Sequence, residues 1–183
     1  MKQLTFSGAS KAMILVFMAL LFGTQAFGQG LEEHFEVAKS RYHSSKGIHK
    51  DGLPVGAWSY YYADGSISAE GSYNDNGQQH GKWLYYYPNG YLEQDVTFAD
   101  GLPTGEWKIF YSNGQLKQVL TYMDNAFEGA FQTYHGNGAI HIHGQYEAGR
   151  PTGKWLYYNA GSGKLYMTET YEAGKLQDTQ MHD

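Results

Sequence analysis

Three histidines in one short stretch are the residues of this chain whose type and spacing best suit metal binding. His141 and His143 lie two residues apart, and His135 precedes them. On a strand, imidazoles at positions i and i+2 share a face and could hold a metal ion with a third ligand. No cysteine occurs, and no carboxylate completes the usual ligand set in sequence. We therefore expect no metal and no other cofactor, and we keep His135, His141 and His143 as candidate binding residues on a solvated polar face.

Glu70, Glu93 and Asp95 are the carboxylates whose arrangement comes closest to that of a hydrolase. They are predicted on the polar face of successive hairpins, where equivalent strands lie about 10 Å apart, a separation that loosely overlaps the pair of inverting glycosidases. The sequence does not imply the apolar pocket that such a pair needs, and ordinary surface charge explains these residues as well. A Ser-His-Asp order, a phosphate-binding glycine loop and a zinc-protease helix are also absent. We expect that the protein is not an enzyme.

Tyrosines that follow the tryptophans could form exposed aromatic rows. Tyr62, Tyr87 and Tyr111 share strand parity with the tryptophans four residues before them. Such rows stack on sugar rings or supply the central residues of a protein interface. The alternative is that the rings form the core, because large aliphatic residues are few. We expect the tryptophans in the core and keep Tyr62, Tyr87 and Tyr111, whose hydroxyls can stay in water, as candidate binding residues.

A tandem repeat of 24 residues positions these side chains. Each unit opens with a glycine that is followed two residues later by a large aromatic residue. The five pairs are Gly56 and Trp58, Gly81 and Trp83, Gly105 and Trp107, Gly129 and Phe131, and Gly153 and Trp155. A period of this length, held over five units, indicates a stacked repeat protein, in which extended surfaces are more common than pockets.

Each unit has the pattern of a β-hairpin. A second aromatic residue lies five positions after the glycine, and four units then carry Asp64-Gly65, Asn89-Gly90, Asn113-Gly114 or Asn137-Gly138. These dipeptides predict type I′ turns. The second strand alternates apolar and polar residues, and a loop centred on glycine or Asn125 follows it. The two aromatic positions have opposite parity, so either both faces carry aromatic residues or a β-bulge re-aims one of them.

The fold class predicted from these patterns is all-β: an elongated single-layer antiparallel meander of five stacked hairpins, or about ten strands. Residues 29–55 are predicted as an N-terminal cap or degenerate half-repeat. The repeats are predicted over 56–178, divided into 56–80, 81–104, 105–128, 129–152 and 153–178. Residues 179–183 are short and polar, and we expect them to fray.

Residues 1–28 are predicted to be a secretory signal peptide. Lys2 and Lys11 supply positive charge, 12–22 is an apolar run, and cleavage is expected between Gly28 and Gln29. Eleven apolar residues are fewer than the roughly 20 that span a bilayer. An uncleaved N-terminal anchor is the alternative.

The pattern Gly-x-Trp-x-x-Tyr-Tyr-x-x-Gly-x-Leu, which Gly81 to Leu92 follow, resembles the MORN repeat in its bacterial variant. The resemblance covers about residues 56–174. It implies β-hairpins stacked into an elongated sheet, with roles in protein or membrane-surface interaction. Some bacterial members are also labelled antitoxins of toxin–antitoxin pairs. The fourth unit departs most from the pattern, with Phe131 in place of tryptophan and His135 in place of the second tyrosine.

Composition narrows the expected partners. Without residues 1–28, and so without Lys2 and Lys11, 155 residues remain with 11 basic and 18 acidic side chains, a formal charge of −7. The basic residues are not clustered, so nucleic acid is not an expected partner. We expect a non-catalytic exported scaffold, periplasmic or extracellular, that binds an unknown protein. The alternatives are binding of a glycan, the cell wall or a membrane surface, and an antitoxin-like or immunity-type role.

Overall fold

The computed structural model describes residues 42–183, and these form a single antiparallel sheet without helices. Its strands are β1 (Ser44–Lys50), β2 (Leu53–Tyr61), β3 (Ile67–Tyr73), β4 (Gln79–Tyr86), β5 (Leu92–Ala99), β6 (Leu102–Phe110), β7 (Leu116–Met123), β8 (Ala126–Phe127), β9 (Gly129–Tyr134), β10 (Ile140–Glu147), β11 (Arg150–Tyr158), β12 (Leu165–Glu172) and β13 (Lys175–Met181). They pair in chain order, except that the short β8 pairs only with β7. The predicted all-β meander is confirmed, and the predicted signal peptide at 1–28 lies outside the described residues.

Three strands within residues 42–183 add to the ten that the five hairpins predict. β1 pairs with β2 and starts the sheet, β8 interrupts the strand that opens the fourth unit, and β13 ends the sheet. The expectation that 179–183 would fray is wrong as far as Met181, because Thr179, Gln180 and Met181 pair with β12. Backbone pairing along an existing edge orders this polar tail without any core of its own.

The hairpin turns differ from the predicted type I′. In the second unit the Gly90 N–H donates to the Tyr87 carbonyl at 2.8 Å, and the Tyr87 N–H donates to the Tyr91 carbonyl at 2.8 Å. Gly90 has a φ of 84°, whereas Asn89 is not among the residues of positive φ. This is a three-residue loop, a type I turn followed by a left-handed glycine. The type I′ prediction is wrong because the Asn89 side chain accepts the Tyr91 N–H at 3.2 Å and stabilises the looser turn.

The glycine that opens each unit lies at a β-bulge. Gly105 has a φ of 69°, and a Cβ added there would have no atom within 4 Å. The register between β5 and β6 shifts beside it, from Thr97 opposite Thr104 to Asp95 opposite Lys108. The glycine is therefore required by the backbone conformation and not by crowding. The bulge aims the aromatic residue two positions later across the preceding strand.

That aromatic residue, which we call the anchor ring, lies directly on the strand before it. A Cβ at Gly71 of β3 would come within 2.2 Å of the Trp83 ring. Gly47 has the same relation to Trp58, and Gly144 has it to Trp155. The Trp83 indole N–H also donates to the Ser72 carbonyl at 3.0 Å. Four of the anchor rings are tryptophans, and all five are at most 6% exposed.

Two units replace the facing glycine and adjust the anchor ring. In the third unit Val96 takes the glycine position, and the Trp107 indole N–H donates to the Gln94 side chain at 3.2 Å. In the fourth unit Leu120 takes it, and the anchor ring is Phe131. The smaller ring faces the larger aliphatic residue, so total volume is kept. This explains why phenylalanine replaces tryptophan only there.

The two faces of the sheet are unequal, and both carry aromatic residues. Trp83 and Tyr85 are buried on what we call the core face, whereas Tyr86 is half-buried on the opposite, outer face. Besides the bulge at the opening glycine, a second bulge lies within each hairpin, in the second strand. Tyr86 pairs with Leu92 and Tyr85 with Gln94, so Glu93 is the extra residue. Both of the alternatives left by the sequence therefore occur together.

Replacing Gly71 with alanine is expected to destabilise the protein by about 1–3 kcal/mol, because the added methyl group would overlap the Trp83 ring. The φ of Gly71 is not positive, so backbone strain does not contribute. The measurement is the free energy of unfolding from urea denaturation.

Gly136→Ala is the matched control, since a Cβ there has no atom within 4 Å and its φ is not positive. It should change stability by less than about 0.5 kcal/mol. In a Trp83→Ala background most of the cost of Gly71→Ala should disappear. An equal cost with and without the ring would show that the contact is not its cause.

Candidate functional site

In the first three units, the tyrosine six residues after the opening glycine bonds one repeat to the next. The Tyr87 hydroxyl donates to the Phe110 carbonyl at 2.8 Å, and the Tyr111 hydroxyl donates to the Tyr134 carbonyl at 2.7 Å. The Tyr62 hydroxyl makes the same bond to the Tyr86 carbonyl, and Tyr62 is buried. The three tyrosines predicted as binding residues thus use their hydroxyls within the sheet.

His135 takes the tyrosine position in the fourth unit and keeps its bond. Its Nε2 lies 2.8 Å from the Tyr158 carbonyl oxygen. A carbonyl can only accept, so Nε2 carries the proton. The exchange of tyrosine for histidine therefore preserves the link to the fifth unit.

The turn asparagines add a second set of links along the same edge of the sheet. The Asn89 side-chain N–H donates to the Ser112 carbonyl at 2.7 Å, and that of Asn137 donates to the Ala160 carbonyl at 2.8 Å. The first unit has Asp64, which cannot donate. Its carboxylate instead accepts bonds from the Ser66 hydroxyl and N–H, and these lower the pKa of Asp64. An asparagine side chain can thus accept a backbone N–H within its own turn and also donate to a carbonyl in the turn of the next unit.

His141 and His143 do not share a face, so that prediction is wrong. The register between β9 and β10 shifts between Ile140 and Ile142, and His141 is the bulged residue. Its ring lies 4.1 Å from the His135 ring, centroid to centroid. His143 lies opposite Gln132 and Leu156 on the outer face. Across residues 42–183, no group of three His, Cys, Asp or Glu side chains could hold a metal.

The bulge also separates the three carboxylates that were predicted on one polar face. Glu93, the bulged residue of β5, is only 3% exposed, so its placement on a solvated face is wrong. Glu70 and Asp95 stay on the outer face. The Tyr86 hydroxyl donates to Glu70 at 2.7 Å. Burial is the larger cause and this hydrogen bond the next, and together they raise the pKa of Tyr86 to about 12. The Lys82 ammonium lies 3.0 Å from the Asp95 carboxylate.

An apolar stripe crosses the outer face, and sequence analysis missed it. The second aromatic residue of each unit pairs directly with the first residue of the next strand, which places both on the same face. The outer stripe consists of Tyr61, Ile67, Tyr86, Leu92, Phe110, Leu116, Tyr134, Ile140, Tyr158 and Leu165. All ten are apolar or aromatic, and none is buried. The aromatic and aliphatic residues of the stripe recur in every unit of the sequence. A strict alternation of inward and outward side chains does not place them on one face, because a bulged residue follows each aliphatic residue.

A second row of the outer face runs beside the stripe and differs from unit to unit. Cross-strand pairing orders it as Ser59, Glu70, Leu84, Asp95, Lys108, Val119, Gln132, His143, Leu156 and Thr168. We call it the variable row. Its charges have partners on the same face: Lys82 lies beside Asp95, and Glu106 lies 2.5 Å from Lys108. These two ion pairs neutralise charge in the central part of the outer face.

Comparison with known proteins identifies the repeat. The family model of the MORN repeat variant matches residues 54–75, 79–100 and 103–124. No curated protein matches the chain. Among solved structures, TarM is 13% identical over 88% of this chain and 26% of that chain, with a TM-score of 0.33. A variant of S. aureus TarM in complex with fondaparinux, alpha-GlcNAc-glycerol and UDP is 12% identical over 90% of this chain and 26% of that chain, with a TM-score of 0.34. The chain thus spans about a quarter of the length of these structures.

Residues 42–183 contain no helix with the length and apolar character needed to cross a bilayer.

The histidine pair of the fourth unit predicts a pH dependence of stability. Burial, and second the nearby His135, lower the pKa of His141 below its ordinary value of 6.5. The His141 imidazole therefore takes up a proton more readily in the unfolded chain than in the folded protein. The folded protein keeps its full stability above pH 6.5 and loses part of it as the pH falls through and below that value. Solvent screening keeps the effect below about 1 kcal/mol.

The measurement compares urea denaturation of the wild type and His141→Gln between about pH 7.5 and pH 5. The wild type should lose stability relative to the variant as the pH falls. The other histidines are common to both proteins and cancel in the difference. Parallel curves would contradict the role of the pair.

Proposed function

We propose that this chain, which belongs to the MORN repeat variant family, is a non-catalytic exported scaffold that binds another protein along its outer face. MORN repeats are in general protein- or membrane-interaction repeats, and the family is in general non-enzymatic.

The outer stripe is the observation that carries this proposal. It runs across ten strands, or about 43 Å at about 4.8 Å per strand. Ile67 and Ile140 are 41% and 40% exposed. Continuous apolar surface left open to water is characteristic of interaction sites. The core face offers no comparable surface, because the anchor rings and the tyrosine bonds there hold neighbouring units together.

The variable row supplies the selectivity that a uniform stripe cannot. At one position of the second strand the units carry Glu70, Asp95, Val119, His143 and Thr168 in turn. Anchor rings and turn asparagines recur because every unit must stack in the same way. Thr168 is buried beside His182, but the other four side chains are partly exposed and free of that constraint, so they can match one partner.

The charge pattern favours a partner with a neutral, apolar contact surface. Lys82 with Asp95 and Lys108 with Glu106 neutralise each other on the face itself. Nucleic acids and anionic lipid surfaces require clusters of basic residues, whereas Lys46 and Lys154, which are exposed on this face, lie far apart in the strand order, on β1 and β11. A protein presenting an apolar ridge fits the stripe without loss of ion pairs. An antitoxin-like or immunity-type role would be one case of such binding.

Ile140→Asp is expected to weaken partner binding about tenfold or more, because it places a charge within the apolar contact. A photo-crosslinking amino acid at position 140 first identifies the partner, and calorimetry with the purified partner then gives the Kd. Leu102→Asp is the matched control, since Leu102 is also 40% exposed but lies at the opposite end of its strand, by the loop. It should leave the Kd within about twofold.

Two outcomes would contradict the protein-binding proposal. One is an equal loss of binding in both variants. The other is the capture of peptidoglycan fragments or lipid vesicles in place of a protein, with that binding lost in Ile140→Asp. The second outcome would establish the glycan or membrane alternative.

Export rests on residues 1–28 and has its own test. The mature protein from the envelope or the culture medium is expected to begin at Gln29 by N-terminal sequencing and intact mass. Leu20→Arg interrupts the apolar run and should leave full-length protein in the cytoplasm. Full-length wild-type protein that sediments with membranes would contradict cleavage and favour an N-terminal anchor.

A further inference from the structure

We propose that Asn76 is a site of spontaneous modification, at which this protein deamidates far faster than at its other Asn-Gly pairs. The sequence has four such pairs: Asn76-Gly77, Asn89-Gly90, Asn113-Gly114 and Asn137-Gly138. All four lie in turns of the same construction, so the dipeptide alone does not distinguish them. Their side-chain hydrogen bonds do.

The chemistry requires only the chain and water. The glycine backbone nitrogen attacks the asparagine Cγ, a new N–Cγ bond forms, and the Cγ–Nδ2 bond breaks. The proton of the attacking N–H passes through solvent to the leaving group, which departs as ammonia. Water then opens the resulting succinimide at either carbonyl and gives aspartate or isoaspartate. Glycine favours the attack because it has no side chain to obstruct the nitrogen.

The backbone around the four sites is equivalent. The Gly77 N–H donates to the Asn74 carbonyl at 3.0 Å, as the Gly90 N–H donates to the Tyr87 carbonyl at 2.8 Å. The φ values are 74° for Gly77 and 84° for Gly90. The attacking nitrogen is therefore held in the same way in both turns.

The side chains of the three later asparagines are held at both ends. Asn137 Oδ1 accepts the Ala139 N–H at 3.0 Å, and its Nδ2 donates to the Ala160 carbonyl at 2.8 Å. Asn89 makes the corresponding bonds at 3.2 and 2.7 Å. Asn113 Oδ1 accepts the Gln115 N–H at 3.0 Å, and its Nδ2 donates over longer distances, 3.3 Å to the Gln115 side chain and 3.5 Å to the Gly136 carbonyl. Rotating any of these side chains toward the glycine nitrogen breaks its bonds.

The Asn76 side chain has neither of these restraints, because Asn74 makes the hydrogen bond to the backbone that the asparagine before the glycine makes in the other turns. Asn74 Oδ1 accepts the N–H groups of Asn76 and Gln78, each at 3.0 Å. The Asn74 amide donates onward to Asp100 at 2.8 Å. Within residues 42–183 the exposed Asn76 side chain makes no hydrogen bond of its own. It can therefore rotate toward the Gly77 nitrogen without breaking any.

Modification would add a negative charge beside Asp75 and Asp100, at the loop edge of the sheet. This edge lies away from the outer stripe, which runs near the hairpin turns. Isoaspartate would also lengthen the backbone of one turn by a carbon. The proposal therefore does not depend on the proposed function.

The test is a time course of the purified full chain at mildly alkaline pH, followed by peptide mapping that separates aspartate from isoaspartate. The peptide with Asn76 should convert at least about tenfold faster than those with Asn89 and Asn137, the factor expected from side-chain hydrogen bonds lost on rotation. Asn113 should be intermediate. Asn76→Gln should remove most of the acidic product that forms.

The same time course in urea separates the fold from the sequence. The four rates should converge there, since each asparagine precedes glycine and none is restrained. Equal rates at Asn76 and Asn89 in the folded protein would overturn the proposal. So would a rate difference that persists unchanged in denaturant, because hydrogen bonds of the fold could not then cause it.

Discussion

Each repeat of this protein is held by an aromatic ring that lies on the strand before it. A bulged glycine such as Gly105 aims the ring, and a small residue such as Gly71 receives it. A single hairpin buries little apolar surface alone, so the ring contact between units is the interaction on which the sheet depends. The tyrosine and asparagine bonds along the turn edge then fix the distance between successive units.

This way of stacking decides which residues are left for function. The anchor rings and the hydroxyls of Tyr87 and Tyr111 are consumed by contacts between units. What remains is the outer face, where stacking imposes little. Its apolar stripe and the variable row beside it are the surfaces from which a partner could gain both area and selectivity.

The fourth unit shows how much a repeat can vary while its contacts persist. Phe131 accommodates Leu120 where other units pair a tryptophan with glycine or valine. His135 keeps the bond that tyrosine makes elsewhere, and His141 packs on it. The concentration of unusual residues there looked like a binding site in the sequence. Structurally it is a set of compensating exchanges, with His143 alone of the three histidines facing outward.

The sequence by itself determined the all-β meander, the unit length and the burial of the tryptophans, because these follow from periodicity and residue type. Local pattern did not determine the turn type, since Asn89 selects it through a bond to Tyr91. Nor did it place Glu93, His141 or the outer stripe, because one bulged residue per hairpin reverses the side-chain parity on which alternation depends. Tertiary structure also assigned Tyr62, Tyr87 and Tyr111 to the bonds between units, as their acceptors lie 23 or 24 residues away.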